Sequence, residues 1–262
     1  MTDLYDRPYQ TDYRNSVWNC GILPVYRQQL YSVYGEYKNT AREFFATVNL
    51  THNREWYNRI YEQRIENGQV QRVSLPLSNH GSRYTVKSTL SKGFYELGLK
   101  TSFLVLLNIS KAEQISGGQR LPYQYRLMRL EPKVIWTPNR HWETSYQTDI
   151  RYGGNKIGER TRLAPLWNVT QQVQLSYIFS PIEASLSVDH YHNDVNEDQS
   201  VNAVFADFSV SWKSGRWEIT ATAKNLFDKR TYAYTRYASL ESYTSWVRIR
   251  PREFLVAIRY QL

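Results

Sequence analysis

Ser187, Asp189, His190 and His192 are the residues whose types and closeness best suit chemistry. A nucleophilic hydrolase needs a hydroxyl activated by an imidazole that a carboxylate or amide holds in place. His190 and His192 would also suit a metal ion that takes ring nitrogen. The spacing argues against both. The segment reads as a strand with Ile182, Ala184, Leu186 and Val188 in one phase and Glu183, Ser185, Ser187 and Asp189 in the other. Successive strand side chains point to opposite faces, so both imidazoles fall on the apolar side with Val188, away from the hydroxyl and the carboxylate. The histidines therefore read as interfacial, and no catalytic residue, metal ligand or cofactor is expected. Cys20 stands alone, which excludes an internal disulfide and a cysteine-based metal cluster.

A wider set of polar side chains follows the same rule. Glu143, Gln147, Asp149 and Arg151 alternate with Trp142, Tyr146, Ile150 and Tyr152, Gln172 and Gln174 alternate with Val173 and Leu175, and Glu183 and Asp189 complete the set. These eight are the candidates for contact with a solute on a water-facing side. The elements that must hold them are strands. Alternation predicts about eleven, over 26–38, 44–51, 84–91, 95–107, 121–136, 142–152, 169–179, 182–189, 204–212, 217–223 and 243–262. In the last, Phe254, Val256, Ile258, Tyr260 and Leu262 share one face, opposite Leu255, Ala257, Arg259 and Gln261. Pro132 argues for a bulge or an edge position in the fifth strand. Residues 1–25 lack periodicity and read as a loop, and 52–81 as a long excursion with a turn at Asn67-Gly68.

Two regularities span the strands. Reversals are short at Asn39-Thr40, Lys92-Gly93, Thr137–Arg140, Ser180-Pro181 and Lys213–Gly215, but long or polar at 52–81, 109–120, 153–164 and 192–200. Aromatic residues gather at the short ones: Tyr37, Phe44, Phe94, Tyr95, Trp136, Trp142, Tyr177, Phe179, Trp212 and Trp217. Outer-membrane barrels pair short periplasmic turns with long outer loops and carry such aromatic girdles. The expected fold is thus all-β, an antiparallel up-and-down transmembrane barrel. With the last strand running inward, about eleven strands put residues 1–25 outside the cell. Single-chain bacterial barrels have even strand numbers, so 26–262 is expected to be the C-terminal half of a barrel of about 22 strands.

Composition agrees. Aromatic residues are 15% of the 262 and the mean hydropathy is −0.62. A membrane helix needs about 20 apolar residues, and the longest apolar run is Phe103-Leu104-Val105-Leu106-Leu107. A barrel tolerates low mean hydropathy because its interior and loops are polar. The formal charge of +9 is spread without a basic helix or nucleic-acid motif, so no nucleic-acid partner is expected. The segment after Met1 lacks a basic start and apolar stretch, which predicts either a chain that is not exported or part of something longer.

Near the end, Asn225-Leu226-Phe227-Asp228-Lys229, then Tyr232, then Pro251-Arg252-Glu253-Phe254, resemble the closing two strands of TonB-dependent outer-membrane receptors. The aromatic-rich style and Arg250–Phe254 are most similar to receptors of Bacteroidetes-type bacteria. Leu23-Pro24 ahead of Tyr31–Tyr37 resembles the middle of such barrels. The resemblance implies a bacterial outer-membrane location and a non-enzymatic role in energy-coupled uptake of a scarce nutrient such as a siderophore, glycan or peptide. It also implies partners: outer-membrane lipid and lipopolysaccharide, the barrel-assembly machinery, an N-terminal barrel half with a plug domain not recognisable in this chain, and TonB through that plug. Alone, the chain is expected not to transport. The family's usual terminal Phe is Leu262 here, and Ile249 replaces a common Gly. Two alternatives are a small outer-membrane barrel hydrolase of phospholipase or protease type, and a soluble β-sheet binding protein.

Overall fold

A computed structural model describes residues 7–261, apart from 14, 20, 67–68, 159–160, 163 and 238–241. The strands are β1 (Tyr9–Gln10), β2 (Asn15–Trp18), β3 (Tyr26–Asn39), β4 (Phe44–Tyr57), β5 (Ile60–Glu66) and β6 (Gln69–Leu75). Next come β7 (Asn79–Phe94), β8 (Leu99–Ser116), β9 (Gln119–Asn139), β10 (Trp142–Ile157), β11 (Thr161–Arg162) and β12 (Leu166–Phe179). The last are β13 (Ile182–Asp194), β14 (Ser200–Ser214), β15 (Trp217–Lys224), β16 (Thr231–Tyr237), β17 (Ser242–Arg248) and β18 (Glu253–Tyr260). All but β16 and β17 belong to a single 16-stranded sheet.

The backbone of that sheet is the antiparallel succession β3-β4-β7-β8-β9-β10-β12-β13-β14-β15-β18. Its register lines up like with like. Val33, Leu50, Val86, Leu107, Met128, Tyr152 and Trp167 form one row across seven strands. Leu175, Leu186, Phe208, Ala223 and Phe254 form another, across β12 again and the remaining four strands. A strand shifted by one residue would put its apolar set on the polar face, and none of these is. Much of the resulting apolar face lies bare: Val33 is 66% exposed, Val256 71% and Ile258 64%.

The sheet is open, because β3 pairs only with β4 and β18 only with β15 among the described residues. It is also mixed rather than wholly antiparallel. β2 runs parallel to β6, and β5 parallel to the end of β8 at Ile115–Ser116, beyond the stretch of β8 that β7 occupies. Residues 1–25 are therefore not all loop, since β1 and β2 form a hairpin.

The excursion at 52–81 is likewise β-structure, with β4 continuing to Tyr57 and β5 and β6 forming a hairpin whose predicted turn, Asn67-Gly68, lies outside the described residues. Its alternation is lost because both faces are covered: the adjacent Val73 and Ser74 of β6 are both buried, and so are Ile60 and Glu62 on one face of β5. The same cause hides the end of β8, where neighbouring Gln114 and Ile115 are both buried. Gly117-Gly118 is then a tight turn rather than part of a long loop. Gly153-Gly154 does not open a loop either but stays within β10, paired with Leu127 and Arg126.

Three further expectations change. The reversal placed at Lys92-Gly93 sits instead at Tyr95–Gly98, a 3-10 turn ending on Gly98 at φ +58°. Tyr95 and Leu97 accordingly leave the strand. Pro132 lies in an interior strand without a bulge of its own: the β9–β10 ladder passes from Lys133↔Gln147 to Leu130↔Ile150 with its register unchanged. The missing N–H costs one ladder bond, not the strand. Lastly, 243–262 is two elements. β17 folds back on β16, Ile249–Arg252 breaks the run, and β18 returns to the large sheet beside β15. Leu262 lies outside the described residues.

The 225–252 segment shows why its motif has those residues. Asn225 adopts φ 51° and Asp228 φ 51°, left-handed conformations that Asn and Asp tolerate best among non-glycine residues. The buried Asn225 amide donates to the carbonyls of Lys229 (2.8 Å) and Arg250 (2.9 Å), and its Oδ1 accepts the Lys229 N–H at 3.0 Å. Its own N–H goes to Asp207 Oδ1 at 2.8 Å, while Leu226 N–H binds the Ala206 carbonyl. Asp228 accepts from the Arg230 guanidinium (2.8 Å) and the Arg252 N–H (3.1 Å). One turn thus ties together β14, β15, both ends of the β16–β17 hairpin and the entry to β18.

Candidate functional site

The β16–β17 hairpin lies across the polar face of the sheet, with β16 against β10, β12, β13 and β14. Tyr232 meets Tyr191 edge-on at 5.2 Å, and Asn193 Nδ2 donates to the Ala233 carbonyl at 3.3 Å. Ala233 and Thr235 are buried by this contact.

Two clefts form where the hairpin bridges the sheet. The first, about 470 Å³, is lined by Tyr125, Arg129, Asp149, Arg151, Asn168, Asn193, Tyr232 and Tyr234, among others. Asp149 is held from both sides. Arg129 donates through Nε at 3.1 Å and Nη2 at 2.9 Å, and Arg151 through Nη2 at 2.6 Å and Nε at 3.1 Å. Arg129 also pairs with Glu131. Two guanidinium groups thus meet two carboxylates, and the charges balance.

The second cleft, about 480 Å³, has Asp189, Asp207, Lys224, Arg250 and Glu253 around Tyr191, Phe205 and Tyr232. Gln172 hydrogen-bonds to Asp189, whose Oδ1 is buried with no hydrogen-bond partner. Tyr232, from the closing motif, lines both clefts.

Of the eight candidates, Asp149 and Arg151 line the first cleft and Asp189 the second. Gln147, Gln172 and Asp189 form one registered row, and Gln174 lies in the next, opposite Ser145 and Ser187. Glu143 and Glu183 stand apart, near the short turns, where Glu183 pairs with Lys213 at 3.4 Å. Arg129 and Glu131 were missed, although they alternate with Met128 and Leu130 and so carried the signal. Tyr232 and Tyr234 had none as lining residues, because nothing in their own strand says which face of another sheet they will cover.

The hydrolase arrangement is not assembled. His190 Nδ1 faces Gln171 Oε1 at 3.3 Å and His192 Nδ1 faces Asn202 Oδ1 at 2.9 Å, on the apolar side. Ser187 and Asp189 share the polar face with Gln174 and Gln172.

No family model matches the chain, and neither does a curated protein or a solved structure.

What the polar face can do follows from its groups. Paired guanidinium and carboxylate, amides and tyrosines offer many oriented hydrogen bonds, and the first cleft is lined by two guanidinium groups and one carboxylate. That suits recognition.

Proposed function

We propose that the chain is the C-terminal portion of the wall of a TonB-dependent receptor in a bacterial outer membrane. The observation that carries this reading is the registered apolar face running without a break from β3 to β18, with no second layer over it among the described residues. A soluble sandwich would bury that face against another sheet; lipid is the remaining medium that makes it favourable. Trp136, Trp142, Trp212 and Trp217 support the reading, being half-exposed on this face at the short-turn end, where a girdle would meet the headgroups.

On this reading the polar face lines the lumen, and the β16–β17 hairpin is an outer loop folded inward over it. Cargo, a scarce nutrient of the siderophore, glycan or peptide class, would pass along Asp149, Arg151, Gln172 and Asp189. Energy would reach the cargo through TonB and a plug domain outside this chain, and the barrel-assembly machinery would insert the wall. Open edges at β3 and β18 expose unpaired backbone in a medium without water, so the chain is not transport-competent alone.

Fractionation of expressing cells tests the reading. The chain should sediment with the outer membrane and need detergent for extraction. A folded monomer in detergent-free buffer would overturn the membrane assignment, and energy-coupled import by this polypeptide alone would overturn its status as a portion.

A further inference from the structure

The second cleft brings aromatic rings and carboxylates together on the polar face. Asp189 of β13 stands directly opposite Phe205 of β14, and Ser187 opposite Asp207, so a ring and two acids share one small area. Tyr191 meets Phe205 edge-on at 5.7 Å and 73°, and Tyr232 of the hairpin meets Tyr191 in the same way. All three rings are half-buried and line the cleft of about 480 Å³. The face of an aromatic ring carries negative potential and attracts a cation.

Asp189 adds a charge that nothing in the chain neutralises. Among the described residues it is the one carboxylate with a buried oxygen, Oδ1, that has no hydrogen-bond partner. No Lys or Arg among them lies within salt-bridge distance of it. Asp149 in the first cleft is the contrast, held by both Arg129 and Arg151. Rings around a carboxylate displace water, so its field is screened less than in bulk solvent. Asp207 strengthens that field from the next row, its Oδ1 accepting the Asn225 N–H at 2.8 Å. The cations of the cleft stand further off. Lys224 belongs to β15, where it faces Glu253 of β18, and Arg250 precedes β18. Both lie at least two strands from Asp189, about 10 Å at about 4.8 Å per strand.

We propose that this cleft binds an organic ammonium ion with a single positive charge. The cation would rest on the ring faces beside Asp189, and its apolar body would lie along Phe205 and Tyr232. Lys224 and Arg250, on the far side, oppose a second positive charge and so set a monoamine above a polyamine. The inference rests on the receptor reading in taking the polar face for the lumen, and names a chemical group that a solute held there would carry.

Calorimetric titration of the full chain in detergent tests it with phenethylamine, with the neutral counterpart phenylethyl alcohol, and with spermidine. Saturable binding of phenethylamine, tighter than that of the other two, is expected. Asp189→Asn should weaken it roughly tenfold, and Phe205→Leu roughly threefold. Glu197→Gln removes the same charge from the exposed β13–β14 connection and should bind as the parent does. Asp189→Asn should also unfold at a midpoint no lower than the parent's, because a buried oxygen without a partner adds nothing to folding. No saturable binding of phenethylamine, equal binding of the alcohol, tighter binding of spermidine, or unchanged affinity in Asp189→Asn would overturn the site. A lowered midpoint for that variant would make Asp189 a structural anchor and overturn its assignment too. A chain that folds without detergent and still shows the expected amine preference would instead overturn the receptor reading and leave the site standing.

Discussion

The Asn225 side chain holds the Arg250 carbonyl at 2.9 Å, joining two residues on either side of the whole β16–β17 hairpin. The same amide reaches Lys229, so one buried side chain closes the base of the hairpin from both strands. The backbone adds a bond between Ile249 N–H and the Arg230 carbonyl at 3.0 Å. Asn225→Ala removes three side-chain hydrogen bonds made by a buried amide, each worth about 0.5–1.5 kcal/mol. We expect a destabilisation of at least about 2 kcal/mol, read by thermal or denaturant unfolding in detergent. Asn225→Asp should restore part of it through the carboxylate that still accepts from Lys229 N–H. Unfolding of N225A at the parent midpoint would mean the turn is held by its backbone alone.

Asp228 sits at the same turn and predicts a pH response. The hydrogen bond from Arg230, then that from the Arg252 amide, hold its carboxyl below the ordinary carboxylate range. A depressed folded pKa means that the ionised form favours the folded state. The contribution is therefore fully present above the unfolded value near about 3.9 and disappears as pH falls through the lower folded one. Unfolding midpoints measured from pH 6 downward should drop more steeply for the parent than for Asp228→Asn, the difference arising below about pH 4. Parallel curves for the two proteins would remove the assigned role of the carboxylate.

How much of this was legible beforehand depended on what covers each face. Where one side of a strand is apolar and the other polar, as in β12 or β14, alternation placed the residues correctly. Where both sides are covered, as at Val73 and Ser74 or Gln114 and Ile115, the pattern vanished and strands read as loop. Site residues followed the same divide. Asp149 and Arg151 could be assigned to the polar face from their own strand, but their companions Tyr232 and Tyr234 arrive from a hairpin folded over that face. The turn motif at Asn225–Lys229 was visible as a resemblance, and its bonding pattern was not, because it involves Asp207 and Arg250, far apart in sequence.

The short-turn end offers a sharper contrast between two glycines. Gly98 has φ +58°, its carbonyl accepts the Thr137 N–H at 2.8 Å, and an added Cβ would collide with the Thr137 carbonyl oxygen. Gly215 has a similar φ of +59°, but open space surrounds the place of its Cβ. Left-handed backbone costs a residue with a Cβ about 1–2 kcal/mol, and Gly215→Ala should lose only that. Gly98→Ala must in addition push the β7–β8 turn away from the end of β9 at Thr137, so its loss should exceed that of Gly215→Ala by at least about 1 kcal/mol. Chemical denaturation of the two variants side by side decides it, with equal losses showing that the approach of this turn to β9 is relaxed rather than fixed.

The edges of the sheet bear on what the chain can become. Ten antiparallel steps separate β3 from β18, so the two edge strands run in the same direction. Joining them, within one chain or between two copies related by an axis along the strands, would make a parallel seam between strands whose partners are all antiparallel. An antiparallel seam needs an intervening segment with an odd number of strands. We therefore expect the chain alone in detergent to keep both edges unpaired. Hydrogen exchange should find β3 amides that point to β4 protected and the alternate set open, with the same division in β18 against β15. In a Cys20→Ser background, Ser32→Cys combined with Ala257→Cys should stay reduced under mild oxidation, since both lie on the polar face but at opposite edges. A rapid disulfide between positions 32 and 257, whether within a monomer or across a dimer, would show that the wall closes on itself and that no further strands are required.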